Sequence, residues 1–172
     1  MVTRDSLTVP LAATAGLLLP LAILDRRMSA TGGTGIIPFE LAGPDRSAQI
    51  LSAWGVEGRR AATASLLLDF PFLVAYTILN VRLTLRASNV LSARGVRALG
   101  AAGPVLAAVQ VAAGVCDGVE NAALLVVVAR GGDARMSGLA RRAARMKFAG
   151  LCAGWLYDAA GAAARARSTF PG

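Results

Sequence analysis

The chain has 172 residues, of which 55% are hydrophobic and 16% charged, with a formal net charge of +8 and no histidine. The missing histidine removes the commonest metal ligand and the usual general base at neutral pH, so chemistry here has to run on carboxylates, tyrosine and lysine, with no metal and no cofactor expected. The positive charge would suit nucleic acid, but the arginines fall almost entirely at helix ends and in loops, which matches membrane lipid headgroups and not nucleic acid.

Four stretches are long enough to cross a hydrocarbon core of roughly 30 Å, for which about 20 apolar residues suffice. The first covers about residues 7–24. Arg4 before it suggests a secretory signal, but the apolar run is longer than a typical signal core. Arg26 and Arg27 follow it, and no A-x-A site lies just beyond, so a retained helix is expected. The first loop, about 25–60, holds the glycine-rich TGGTG, then Ile36, Ile37, Phe39 and Leu41, then PDRSAQILSAWG. TGGTG lacks the spacing and lysine of a phosphate loop and reads as a flexible turn. In the last segment Asp45 or Ser47 can cap a helix whose apolar face is Ile50, Leu51 and Trp54, and Gly55 can end it. An interfacial helix or lid is expected there.

The second span covers about 61–85 and carries Asp69, Tyr76 and Asn80 at spacings of seven and four, which puts them on one helical stripe. Pro71, two residues after Asp69, frees a carbonyl one turn earlier and can kink the helix beside the acid. The third span, about 103–129, repeats that spacing with Gln110, Asp117 and Asn121, and Glu120 flanks the stripe. The fourth, about 143–164, presents Lys147, Gly154 and Asp158 on one face, with Tyr157 and Gly150 beside it. Its G-x-x-x-G pair, Gly150 and Gly154, suits close packing within the bundle first and a homodimer contact second. Cys116 and Cys152 lie in spans without C-x-x-C spacing and read as small buried hydrophobes.

The expected fold is therefore all-α: one integral membrane four-helix bundle of 172 residues, with an interfacial helix or lid in its first loop. The first and third loops hold more arginine than the other side, where Arg4 and Arg167 contribute, so the positive-inside rule puts both chain ends outside. At about 1.5 Å per residue, Asp69 and Glu120 lie at matching depth, roughly 13–15 Å below the surface that carries those loops, with Lys147 entering from the same side. Polar stripes on three helices, turned inward, define a cavity in the half of the bundle that opens toward the first and third loops.

Ionisable groups inside spans are costly and usually mark a site. Asp117 and Glu120 are helical neighbours, and carboxyls that close in a low dielectric cannot all ionise. A protonated acid beside an ionised one equips the site for general acid–base catalysis on a lipophilic small molecule. Asp69, Glu120 and Asp117 are the catalytic candidates. Tyr76, Asn121, Trp54, Lys147 and Tyr157 are the substrate-binding candidates. A purely structural reading pairs Lys147 with Glu120 or Asp69 and uses Asn121, Asn80 and Gln110 to fix helix register. A third reading is a non-enzymatic carrier or proton-coupled transporter using the same acids. Four acids in the spans, counting Asp158, face only Lys147 and Arg82, and this excess favours function over scaffolding.

The segments LLLDFPFLVAY and DGVENAALL, the WG-containing loop before them and MKF at the start of the last span resemble a poorly characterised bacterial family of small four-span membrane proteins. More remotely, a histidine-free bundle with buried acids is similar in kind to membrane-integral terpene cyclases, which protonate an epoxide or alkene with a carboxylic acid and shield the resulting cation. The first resemblance implies the bacterial cytoplasmic membrane. The second implies metal-independent cyclisation or isomerisation of a polyprenyl substrate, and none of the cyclases' residues carries over position by position. The D-D-x-x-D metal motifs of soluble prenyl-chain enzymes are absent.

Overall fold

The structure, a computed structural model, describes residues 7–166, so Arg4 and Arg167 of the charge count lie outside the described residues. The described chain is helical throughout, with no strand: α1 (Thr8–Gly32), α2 (Ile36–Glu40), α3 (Pro44–Ala93), α4 (Arg97–Arg130) and α5 (Ala134–Ala166). Three of these, α1, α3 and α4, are long and apolar enough to cross a membrane. The fourth expected span lies inside α5, which is long but, among the described residues, not apolar enough to join that set. Its first half carries Arg135, Arg141, Arg142, Arg145 and Lys147, and its second half Asp158 and Arg165.

Large apolar side chains of α3 and α4 point outward: Leu67, Val74 and Ile78 on one helix, Val111, Val115 and Val119 on the other. The same helices bury Tyr76, Asn80, Gln110, Asp117, Glu120 and Asn121. Apolar residues are thus on both faces and polar ones on the inner face, the reverse of a soluble amphipathic helix.

The tightest apolar packing sits at one end. Met28, Phe39, Leu51, Trp54, Leu66 and Val127 belong to one buried cluster that ties α1, α2, α3 and α4 together. The Phe39 and Trp54 rings lie 4.8 Å apart, and the Trp54 Nε1–H donates to the Thr34 carbonyl at 2.7 Å. Full burial of an aromatic such as Phe39 is worth roughly 1.5–3 kcal/mol, which makes this cap a built part of the bundle.

Two expectations for the first loop change in detail. Neither Asp45 nor Ser47 caps the following helix: Gly43 is the N-cap, Pro44 supplies a fixed φ in the first turn, and the Ser47 hydroxyl donates back to the Gly43 carbonyl. The helix also does not stop at Gly55 but breaks there, at φ 57° and ψ −155°, a left-handed φ suited to glycine, and resumes. Beside the break the Arg59 Nε–H donates to the Leu51 carbonyl at 2.9 Å. TGGTG begins as the last residues of α1 and runs on as a turn through residues 33–35, where the N–H of Gly33 caps the helix by donating to the Ser29 carbonyl.

Candidate functional site

α1 packs along α3, and α5 packs against α3 and α4. A cavity of about 740 Å³ lies between α1 and α5 with α3 behind it. Its apolar walls include Leu18 and Leu21 of α1, Ile36 and Ile37 of α2, and Phe148 and Trp155 of α5. Leu18 and Trp155 are 51% and 53% exposed, so the cavity opens sideways between these helices. The cover over its end is α2, not the Trp54 face. Trp54 does not line the cavity, because its ring is consumed in the buried cap.

The α3 stripe faces this space as its seven-then-four spacing implies: Asp69, Tyr76 and Asn80 all line it. From α4, Asp117 and Asn121 reach the wall. Gln110, on the same stripe but deeper along the helix, serves packing: its Nε2 donates to the Gly150 carbonyl at 3.0 Å, and its amide lies where a Cβ on Gly154 would be. The Gly150 and Gly161 faces are likewise filled from within the chain, by Val109 and Ala113 and by Ala87.

Two polar centres result. In the first, Lys147 Nζ stands 2.9 Å from Glu120 Oε2, 3.0 Å from Asp117 Oδ1 and 3.2 Å from Glu40 Oε2. The Tyr76 hydroxyl donates to the other Asp117 oxygen at 2.6 Å. The Glu120 contact is an ion contact without hydrogen-bond geometry, and both Glu120 oxygens, fully buried, lack a hydrogen-bond partner. Glu120 does not line the cavity. In the second centre, the Asn121 Nδ2–H donates to Asp69 Oδ2 at 2.6 Å, and Asp69 takes part in no ion pair among the described residues.

Lys147 therefore pairs with Glu120, as the structural reading has it, but with Asp117 and Glu40 as well, and not with Asp69. Glu40 is the residue that sequence reasoning missed. It lies in a five-residue helix of the first loop, lines the cavity and is buried. The only signal for it is a lone acid inside IIPFELAG. Tyr157 is not part of the site: its hydroxyl donates to the Leu99 carbonyl at 2.7 Å, in a separate cluster with Ala87 and Leu91. Among the described residues no set of acids or cysteines is grouped to hold a metal ion, since the three gathered carboxyls enclose an ammonium.

Compared with protein-family models, curated proteins and solved structures, the chain has no significant match.

Proposed function

We propose that the protein is an integral membrane enzyme of four spans, α5 being the fourth, that converts a lipophilic small molecule by carboxylate acid–base chemistry. The bacterial cytoplasmic membrane is the proposed location. α5 can join the apolar spans because Lys147 meets its counter-charges inside the bundle, which lowers the cost of carrying it into lipid. The sideways opening would admit a substrate from the bilayer, with the apolar walls holding its body.

Asp69 carries the reading. Of the carboxyls on the cavity wall, Glu40 and Asp117 are engaged by Lys147, and Asp25 caps α2 by accepting the Ile36 N–H at 2.7 Å. Asp69 alone is held by a neutral side-chain amide, which orients it and leaves its proton to be exchanged. In the proposed step, Asp69 in its acid form protonates an epoxide oxygen or alkene carbon of a polyprenyl chain. The cation closes a ring or shifts a double bond, and loss of a carbon-bound proton to a carboxylate of the wall gives an isomer of the substrate. Asp117, polarised by Lys147 and Tyr76, is placed to receive that proton. Glu120 has a structural role here.

The test is turnover in lipid nanodiscs made up in heavy water, with polyprenyl epoxides of several lengths and product analysis by mass spectrometry. A cyclised or isomerised product, lost in Asp69→Asn, is the expected result, with carbon-bound deuterium only where an alkene carbon is protonated, since deuterium delivered to an epoxide oxygen exchanges away as a hydroxyl. Binding without conversion would favour the carrier reading, and a product free of deuterium would exclude protonation at carbon.

A further inference from the structure

The cavity wall is unlike the rest of the molecule in charge. The chain as a whole carries +8, yet Asp25, Glu40, Asp69 and Asp117 face this space against one ammonium, that of Lys147. Glu120 lies just behind them, fully buried. Aromatic rings gather in the same place: Phe72, Tyr76, Phe148 and Trp155 line the cavity, four of the nine aromatic residues in the chain. Carboxylates and ring faces share one chemical preference, for a positive charge with little water around it.

Lys147 already illustrates how the wall holds such a charge. Its Nζ is 4.8 Å from the Phe148 ring centroid while three carboxyls surround it. On the α3 side of the same wall these materials recur. Asp69 has only the Asn121 amide, and the Phe72 and Tyr76 rings, 5.4 Å apart and inclined at 58°, flank it on α3 one and two turns along.

We propose that the cavity binds a hydrophobic ammonium ion, its cationic head between Asp69 and the Phe72 and Tyr76 rings and its apolar body toward Leu18 and Trp155. The inference rests on the cavity of the proposed function but not on turnover. A carbocation formed from a polyprenyl substrate would meet the same surroundings, and a stable ammonium is the ligand that reports on them directly.

The probe is dodecyltrimethylammonium, compared with the uncharged tert-butyl alkane of the same length and shape. Both are titrated into the full chain in nanodiscs of zwitterionic lipid, with Trp155 fluorescence as the reporter in a Trp54→Phe background. Net protein charge opposes non-specific uptake of a cation. The cation should bind at least about tenfold more tightly than its isostere, the worth expected of a desolvated cation–π and ion contact. Asp69→Asn should bring the two within about twofold with melting unchanged, Asp69→Glu should retain the preference, and Phe72→Leu should weaken it. Equal affinities in the wild type, or a preference that survives both Asp69→Asn and Phe72→Leu, would overturn the proposal. Neither outcome depends on the deuterium result, so the binding inference and the enzyme reading fail separately.

Discussion

Around Lys147, carboxyls from α2 and α4 converge on one ammonium, whereas between α3 and α4 a single carboxyl, Asp69, meets only the amide of Asn121. Both centres are built from residues that cost free energy inside a membrane. The first consumes its charges in tying three helices together: Glu40 brings in the short α2, Asp117 and Glu120 come from α4, and Lys147 comes from α5. The second ties two helices by one hydrogen bond and leaves a carboxyl on the wall of a 740 Å³ space. The acids thus divide by partner: Glu120 is enclosed beside a cation, Glu40 and Asp117 share that cation but also reach the cavity wall, and Asp69 is held by a neutral donor, which on the proposed reading leaves it to exchange a proton with what enters.

The harshest way to break this division is Lys147→Met. It leaves buried carboxyls without their counter-ion, and breaking a buried ion cluster from one side costs about 3–5 kcal/mol. Melting in detergent should fall accordingly, and Glu120→Gln added to it should restore part of the loss, because the two changes act on one contact. Wild-type melting in Lys147→Met would remove the anchoring role from the first centre.

Asp69→Asn addresses the second centre and should do the opposite. The amide preserves size and can still hydrogen-bond Asn121, so melting should stay near wild type while turnover on an accepted substrate falls by about two orders of magnitude, the usual worth of a positioned proton donor. Glu120→Gln should show the reverse pattern, lower melting with activity lost only as far as the fold is. If the two variants behave alike, the contrast between the centres fails.

Tyr76 bridges them, since it lines the cavity and donates to Asp117. Tyr76→Phe keeps the ring but removes a hydrogen bond to a charged group, a change worth about 1.5–3 kcal/mol. A drop in melting smaller than that of Lys147→Met, with turnover reduced less than in Asp69→Asn, would place Tyr76 as a positioning residue.

The second centre is nearly all in the sequence, because helical periodicity alone puts Asp69 on one face with Tyr76 and Asn80, and Asn121 on one face with Asp117. The first is only half legible. Glu40 meets Lys147 across 107 residues of sequence, from a helix too short to show any period, and no local rule connects them. Trp54 illustrates the converse. Its apolar helix face is evident in the sequence, but whether that face meets a cavity or a filled core depends on Phe39 and Met28, which arrive from other elements. α5 is less apolar than the other long helices in part because of Lys147, whose pairing with Glu120 a structural reading of the sequence anticipates, whereas its contacts with Glu40 and Asp117 come from the structure.

The smallest effect belongs to a carboxyl outside both centres, and it calibrates them. Asp133 precedes α5, accepts the backbone N–H groups of Arg135 and Met136 at 3.0 Å and meets Arg130 Nη1 at 2.8 Å. The Met136 N–H and then the Arg130 side chain hold its carboxyl below the usual carboxylate range. A carboxyl lowered by folding contributes stability that is fully present above its unfolded pKa and is lost as pH falls through the folded value. Asp133→Asn keeps an acceptor at the cap and removes only the charge. Its melting should therefore sit slightly below wild type at neutral pH, and the gap should close in acid as the wild-type carboxyl takes up its proton. A gap that persisted unchanged in acid would mean that the charge of Asp133 is not what stabilises this turn. In a chain where carboxyls behave so differently by location, Asp133 then supplies the reference for one that water can still reach.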